Sequence, residues 1–565
     1  MWARHRLEWI TALVAAILGV VYLILPPMGS DLAAQVARAG FFADHGLTPV
    51  DLRWYAGVEQ FGYSLVSQPV MALLGVRVTG VLTLVAGPVL LAVLFRRTGA
   101  ARPALGAIFG TVAFAGNLVS GRVTYGLGIC FAVAALVLLT AKRRPRLRLL
   151  AAGAAFLAGA TSPVAGLFTG LAGVALLLTR PGTRTTPDSV VAATAEGPGE
   201  SGASDGGGSR WGGTSDGARG ASDGGTGGGW GGLRWRDGLL LAVPAAVPLA
   251  ITSLLFGDGG WMNISRTDTV RAVVTGLVVA VFVPYRAVRI GALLSSAGVL
   301  AASLIHTPVG LNATRLAVMF GLPVLAAYGS VPRTRKKAPL AVTLLLAALV
   351  WWQPPVVLDD VRDIGNPTAD PGYFAPLRAR LAEQKLTGRV EIPPTRAYWE
   401  AASMGDVPLA RGWLRQADID RNPLFFTTVP GAAGTGVALT ADSYRTWLDE
   451  LAVQYVAVPD AELAWPGRAE AELVTNGLPY LTPVWSDAHW RLYEVTGARP
   501  IVDGLVDQDA ASATFDAASA GEVRVRIRYH RWLTVTGGAS IGADGLWTTV
   551  RVPAAGRYTI GSSLL

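Results

Sequence analysis

The stretch WITALVAAILGVVYLILP at residues 9–26, followed by PMGSD at residues 27–31, sets the pattern for much of this chain. A membrane-spanning helix needs about 20 mainly apolar residues, and runs of roughly that length recur up to residue 352. Hydrophobic residues make up 51% of the 565 residues and charged residues only 15%, a composition that excludes a single soluble domain. The sequence therefore predicts a polytopic α-helical membrane protein.

Length and apolar character together predict about eleven transmembrane helices. Their expected ranges are 9–26, 74–95, 103–118, 124–141, 149–161, 164–179, 237–256, 270–284, 288–305, 313–329 and 338–352. The fifth and sixth ranges are short, and only Ser162 and Pro163 separate them. This pair is either two spans or one broken, re-entrant element.

The basic residues indicate how the chain is oriented. Arg96, Arg97 and the segments 142–148 and 333–337 all fall on one side of the predicted spans, and short loops rich in Lys and Arg stay in the cytoplasm. We expect a multi-pass protein of a bacterial plasma membrane with a cytoplasmic N-terminus, an uncleaved first span and an extracytoplasmic region after Trp352. The net charge of +9 follows from these loops, so membrane lipids are expected partners and nucleic acid is not.

Composition also divides the chain into regions. Residues 1–180 form a first membrane half whose outer loop covers 27–73, and residues 237–352 form a second half. Residues 181–236 are so rich in Gly and Ser that a disordered cytoplasmic linker is expected between them. The single cysteine, Cys130, excludes an internal disulfide.

Beyond residue 352 the pattern changes to that of a water-exposed region. Residues 353–498 predict an α/β subdomain, with strands at 390–392, 407–410 and 453–458 and helices at 371–384 and 441–451. Residues 499–565 predict a small β-sandwich, because residues 522–529 alternate strictly and residues 547–552 and 557–560 follow Gly-bearing turns.

Asp31 is the first acidic residue after the first span. A carboxylate at the outer mouth of a membrane bundle can serve as a general base that removes a proton from a hydroxyl group. The same residue also precedes the helical run from Leu32 to Ala43, which makes a helix N-cap the alternative interpretation. Both interpretations stay open on the residues alone.

Asp44 and His45 lie farther along the same outer loop. They are candidates for substrate binding or proton transfer, although a lone loop histidine is more often simply solvated. Together with Asp31 and His306 they offer ligands for a divalent metal, but their spacing does not form a tight ligand set. No cofactor is therefore assigned, and a divalent metal stays open.

Arg53, Arg122 and Arg315 lie on the predicted outer face, against the general distribution of basic residues. Arginine suits bidentate contacts with phosphate, so these three, with the polar neighbour Asn312, are candidates for binding a lipid phosphate. The alternative is that their side chains only reach from span ends to the membrane surface.

Aromatic side chains supply a second set of candidates. Tyr55 in the outer loop is a candidate for stacking on a sugar ring, although Tyr and Trp are common at membrane interfaces in any case. Segments 399–400, 411–413, 422–426 and 487–490 of the outer region combine aromatic and polar residues. Such patches either bind carbohydrate or form ordinary cores.

The order of these features resembles the GT-C superfamily of polyprenyl-phosphate-dependent membrane glycosyltransferases, particularly the bacterial 6-pyruvoyl-tetrahydropterin-synthase-related membrane proteins. The residues that carry the resemblance are Asp31, segments 62–65 and 68–69, Ser120-Gly121-Arg122, Asn312 to Arg315, and segments 529–532 and 552–556. The resemblance implies a GT-C-like fold, Asp31 as catalytic residue, a polyprenyl-phosphate-linked sugar as donor and a cell-envelope glycan or lipid as acceptor.

Three classes of function compete. A glycosyltransferase is the first expectation. A transporter is compatible with eleven spans, but the chain lacks a convincing internal repeat and its spans are nearly free of acidic residues. A non-catalytic assembly protein of the cell envelope, in which Asp31 only caps a helix, is the third.

Overall fold

The computed structural model describes residues 5–141, 144–179, 235–330 and 338–564. Its first part contains α1 (Arg6–Ile24), α2 (Leu32–His45), β1 (Val50–Asp51), β2 (Val58–Glu59), α3 (Ser67–Leu74), α4 (Val76–Arg97), α5 (Pro103–Val119), α6 (Val123–Leu139), α7 (Pro145–Thr161) and α8 (Pro163–Leu177). Next come α9 (Leu239–Leu255), α10 (Arg266–Phe282), α11 (Arg286–Leu304), α12 (Arg315–Tyr328) and α13 (Ala338–Trp352). Residues 181–234 of the predicted linker lie outside the described residues.

Each predicted apolar range coincides with one helix, namely α1 and the ten helices from α4 to α13. Within the described residues, five segments are long and apolar enough to cross a membrane: 6–24, 76–97, 235–255, 286–304 and 310–328. The helices leave large apolar side chains uncovered, such as Leu149 at 75% and Leu304 at 82% exposure. Exposing so much apolar surface to water would be unfavourable, so these helices belong to a multi-pass membrane protein. The number of spans stays a prediction.

The short helices α7 and α8 meet at a sharp corner. Ser162 alone separates them; it is extended and its hydroxyl accepts a hydrogen bond from the amide of Ala165. A Cβ on Gly166 would lie 2.7 Å from the Cα of Gly159, so the two helices pack closely through glycine. This geometry leaves open whether each helix crosses the membrane.

The region after α13 begins with a mixed sheet. Its elements are α14 (Leu358–Arg362), α15 (Ala375–Ala382), β3 (Arg389–Glu391), α16 (Glu400–Ser403), α17 (Arg415–Arg421), α18 (Ala441–Glu450), β4 (Val453–Pro459), α19 (Trp465–Thr475), β5 (Leu481–Ser486) and β6 (Trp490–Val495). The strand order is β3-β4-β6-β5, with β3 parallel to β4 and the other neighbours antiparallel.

Two predictions in this sheet region were wrong in detail. Residues 407–410 are not a strand and make only an isolated bridge between Leu409 and Val390, because the Leu409 amide donates instead to the carbonyl of Arg53 at 2.7 Å. The helix predicted at 371–384 starts as a 3-10 turn at Pro371–Phe374, and α15 ends at Ala382.

The last part of the chain is entirely β structure, as predicted. It contains β7 (Leu505–Gln508), β8 (Ala513–Ala517), β9 (Gly521–Arg528), β10 (Leu533–Val535), β11 (Ser540–Asp544), β12 (Trp547–Val552) and β13 (Gly556–Ser562). They form two antiparallel sheets in the orders β10-β13-β8-β7 and β11-β12-β9.

The loop between α1 and α4, named the outer loop after its predicted side, contacts both subdomains that follow α13, which together are named the outer region. Val50 and Leu52 join the buried core of the β-sandwich, and the Leu52 amide donates to the carbonyl of Ala510 at 2.8 Å. The Arg528 amide of β9 donates to the carbonyl of Ala56 at 2.8 Å. The outer region therefore holds the loop that carries the candidate residues in one fixed arrangement.

Candidate functional site

Asp31 meets two arginines that are distant in sequence. Its Oδ2 atom lies 3.3 Å from Arg122 Nε, at the start of α6, and 3.3 Å from Arg315 Nη2, at the start of α12. The three side chains retain 12%, 23% and 20% exposure respectively, so the cluster is open to a ligand. Of the three predicted outer-face arginines, two thus converge on the predicted carboxylate.

The side chain of Asp31 does not cap α2 through a hydrogen bond. Asp31 occupies the N-cap position of α2, but its side chain makes no capping hydrogen bond to the helix backbone. The carboxylate points instead to Arg122 and Arg315. Its charge is therefore available for the chemistry of the site.

The backbone around Asp31 is held by residues that were not among the sequence candidates. The amides of Gly29 and Ser30 each donate, at 3.1 Å, to the carboxylates of Asp363 and Asp360 respectively. Asp360 also accepts from the hydroxyl of Ser120, whose carbonyl accepts from the Asp31 amide. The only sequence signal was a pair of carboxylates three residues apart just after the last apolar helix.

Trp413 is a further residue at this mouth. Its indole Nε1 donates to the carbonyl of Ser30, next to Asp31, at 2.8 Å, and the side chain is only partly buried. The segment 411–413 was a sequence candidate for carbohydrate binding. Of the other aromatic segments proposed for that role, Trp399, Phe425, Phe426 and Trp490 are buried in cores.

A polar network continues behind Asp31 along α2. Gln35 donates to the hydroxyl of Tyr63 at 2.7 Å and accepts from Thr124 at 2.6 Å. The guanidinium of Arg38 lies over the ring of Tyr63, 4.4 Å from its centroid. Burial raises the pKa of Tyr63, and the nearby charge of Asp31 adds to the rise. Tyr63 therefore stays protonated beside the site.

Arg53 is not part of the cluster at Asp31. Its guanidinium contacts the buried carboxylate of Asp51 at 2.7 Å and donates to the carbonyl of Ala37 at 3.0 Å. Burial opposes its charge, but the Asp51 carboxylate outweighs this and raises the pKa of Arg53. Arg53 joins the outer loop to α2 and is not placed to bind phosphate at Asp31.

The expectation that Tyr55 stacks on a sugar is contradicted by its burial. Only 1% of Tyr55 is exposed. Its hydroxyl donates to the carbonyl of Gly412 and accepts from the amide of Leu414 at 3.1 Å. Tyr55 thus forms hydrogen bonds to the loop on both sides of Trp413.

The remaining predicted residues lie apart from Asp31. The ring of His45, at the end of α2 beside Asp44, packs against Phe41 with centroids 4.9 Å apart. His306 stacks on Trp261 at 4.1 Å, and Asn312 donates to the sulfur of Met262 at 3.4 Å. Among the described residues no group of three His, Cys, Asp or Glu side chains is placed to hold a metal ion.

An apolar cavity of about 220 Å³ lies among α4, α6, α8, α10, α11 and α12. Its wall includes Leu316, which follows Arg315 directly, and Phe168, whose ring contacts that of Tyr125. The guanidinium of Arg315 lies 5.4 Å from the centroid of the Tyr125 ring. Arg315 and Tyr125 thus adjoin residues of the cavity wall, although Asp31, Arg122 and Arg315 do not themselves line the cavity.

No protein-family model matches the sequence, and no curated protein matches it. Among solved structures, the cryo-EM structure of arabinofuranosyltransferase AftD from Mycobacteria is similar, with 17% identity, a TM-score of 0.45, and coverage of 91% of this chain and 41% of that chain. A mutant of AftD gives 16% identity and a TM-score of 0.42 in one class, covering 99% of this chain and 60% of that chain. The other class of that mutant gives 17% identity and a TM-score of 0.43, covering 91% of this chain and 42% of that chain.

This chain thus spans less than two thirds of the length of the solved structures that it matches.

Proposed function

We propose that this protein is a membrane glycosyltransferase that transfers a sugar from a polyprenyl-phosphate donor to a cell-envelope glycan or lipid acceptor at the extracytoplasmic face. The observation that carries the proposal is the cluster of Asp31, Arg122 and Arg315, with an apolar cavity whose wall includes Leu316, the residue after Arg315. A polyprenyl phosphate has the matching chemistry, a charged head on an apolar chain.

The two arginines suit the phosphate of the donor. Each contacts Asp31 through one nitrogen, Nε for Arg122 and Nη2 for Arg315, which leaves N–H groups on both guanidinium groups for a second oxyanion. Cations placed beside a departing phosphate stabilise the charge that develops there.

Asp31 suits the role of general base. As the acceptor oxygen bonds to the anomeric carbon, its proton passes to the Asp31 carboxylate. The bond between the anomeric carbon and the phosphate oxygen breaks, and polyprenyl phosphate leaves with the electron pair. Trp413, hydrogen-bonded beside Asp31, offers an aromatic face on the acceptor side.

A complementation experiment tests this function. Cells lacking the gene receive wild-type protein, Asp31→Asn, Arg315→Gln or the control Asp268→Asn, and their envelope glycans and lipid-linked sugars are compared by mass spectrometry at equal membrane abundance. Asp268 is a matched control, since it is an outer-face carboxylate at the start of another apolar helix, α10.

We expect the deletion to lose a glycan species and to accumulate its polyprenyl-phosphate donor. The Asp31→Asn variant should lower transfer by at least about 100-fold, the usual scale of losing a general base. Asp268→Asn should restore the glycan. Full rescue by Asp31→Asn would refute the proposed role and favour a transport or assembly function.

A further inference from the structure

A second cavity lies in the outer region, at the seam between the mixed sheet and the β-sandwich. It has a volume of about 130 Å³ and is lined by Asp449, Glu450, Arg499, Arg524, Arg526 and Trp547. A water molecule occupies about 30 Å³ in the liquid, so this space suits a small polar group. It is separate from the apolar cavity, which lies among the helices α4, α6, α8, α10, α11 and α12.

Cations outnumber anions around this cavity. On β9, Arg524, Arg526 and Arg528 alternate with the buried Val525 and Ile527, so their side chains share the face turned away from the sandwich core. Arg528 lies over the ring of Trp547, 5.4 Å from its centroid. The strand thus presents a row of guanidinium groups toward the mixed sheet.

Arg389 adds a buried charge behind the same cavity. It is fully buried and donates to the carbonyls of Leu451 at 2.7 Å and Arg526 at 2.6 Å. Its Nε atom is buried without a hydrogen-bond partner. Burial and the neighbouring charges of Arg528 and Arg526 lower the pKa of Arg389 to about 9, the direction expected for a cation that lacks a nearby carboxylate.

One of the two carboxylates that line the cavity is engaged elsewhere. Asp449 pairs with Arg445 at 2.9 Å, and Arg524 pairs with Asp544 at 3.6 Å. Among the ion pairs of the described residues, Arg389, Arg499, Arg526 and Arg528 take no part, and neither does Glu450. Three arginines therefore line the cavity with two carboxylates, and of these five groups Arg499, Arg526 and Glu450 take no part in the ion pairs of the described residues.

We propose that this seam cavity, defined by Arg499, Arg524, Arg526 and Trp547, binds an oxyanion, the phosphate or carboxylate group of a solute or of an acidic sugar. Guanidinium groups recognise such groups through paired N–H donors, and a bound oxyanion supplies the negative charge that the cluster lacks. The Trp547 ring forms the apolar wall. The oxyanion would lie where the two subdomains meet, because Arg526 belongs to the β-sandwich and Glu450 belongs to α18 beside the mixed sheet.

Titration calorimetry on the purified full-length protein in detergent tests this site with inorganic phosphate, glucuronate and, as the neutral probe, glucose. We expect saturable binding of at least one anion and none of glucose. Tighter binding of glucuronate than of phosphate identifies an acidic sugar as the natural source, and the reverse identifies a free phosphate. Absence of saturable binding by both anions overturns the proposal.

Variants of the cavity residues test whether the anion binds in this cavity. Arg499→Gln, at the exposed rim, and Arg526→Gln should each weaken anion binding by at least tenfold. Glu450→Gln, which removes the unpaired carboxylate, should strengthen anion binding severalfold. The control Arg551→Gln changes an exposed arginine of β12 that pairs with Glu522. Thermal unfolding verifies that each variant is folded. If Arg551→Gln weakens anion binding equally, or if Glu450→Gln does not strengthen it, the proposed location of the site is wrong.

Discussion

At the scale of single residues, the central feature is a carboxylate held by two arginines beside two tight turns. Gly29 has a φ of +104°, and a Cβ there would lie 2.2 Å from the carbonyl oxygen of Val119. Gly121 has a φ of +73°, and its Cβ would lie 2.4 Å from the amide of Leu32. Only glycine allows the turns that carry Asp31 and Arg122 to approach this closely.

Gly29→Ala should therefore displace Asp31 from its arginines. The strained φ and the clash together cost on the order of 1–3 kcal/mol, and sugar transfer should fall with stability. Gly40→Ala is the control, because Gly40 is exposed on α2 and its Cβ would meet nothing within 4 Å. Thermal unfolding and glycan profiling measure both effects. Identical behaviour of the two variants would show that the turn at Gly29 does not position the site.

At the scale of elements, the decisive arrangement is the contact between the outer loop and the loop around Trp413. The Tyr55 hydroxyl binds the backbone at Gly412 and Leu414, on either side of Trp413. A Cβ on Gly412 would lie 2.5 Å from the ring of Trp54, so the two loops are in direct contact. Trp413 is thus presented beside Asp31 by a rigid support.

Tyr55→Phe should loosen this support. It removes a hydroxyl from a fully buried place and leaves the carbonyl of Gly412 and the amide of Leu414 without their partner, a loss of about 1–3 kcal/mol. We expect faster hydrogen–deuterium exchange at residues 411–414. Tyr529→Phe, at an exposed tyrosine of the β-sandwich, should leave that exchange unchanged. If hydrogen–deuterium exchange is unchanged in Tyr55→Phe, Tyr55 does not position the loop around Trp413.

At the scale of the whole molecule, the outer region carries a buried acidic cluster that makes its stability depend on pH. Arg411 contacts Asp418 at 2.9 Å, Glu470 at 3.0 Å and Glu391 at 3.7 Å, and all four side chains are buried. Burial, followed by the charge of Glu470, raises the pKa of Glu391 well above 4.5, and burial also raises that of Glu470. Burial raises the pKa of Glu400 nearby to about 7.

Raised carboxyl pKa values mean that the folded protein holds protons that the unfolded chain has released. Between pH 4.5 and about 7 the free energy of unfolding should therefore fall as pH rises. Thermal unfolding of the full chain measured across this interval checks the sign. Glu391→Gln should flatten the dependence, whereas Glu472→Gln, at an exposed position of α19, should leave it unchanged. Stability that rises with pH over the interval would contradict this account.

The sequence by itself determined the apolar helices and the β strands of the last subdomain. Both follow from local pattern, since a long apolar run or strict alternation needs no knowledge of distant residues. The same local pattern named Asp31, Arg122 and Arg315. It also named Tyr55 and Arg53 as candidates for substrate binding. An aromatic or charged residue in an outer loop gives the same sequence pattern whether its side chain is buried or exposed.

Only the tertiary structure decided which candidates meet. Arg122 and Arg315 lie 91 and 284 residues from Asp31 along the chain, and no local rule relates them. Their convergence depends on the packing of α2, α6 and α12 and on the clamp of Asp360 and Asp363. The seam cavity has the same origin, since the residues that line it come from separate subdomains. Side-chain direction and burial are products of packing, which is the physical reason why local sequence does not specify them.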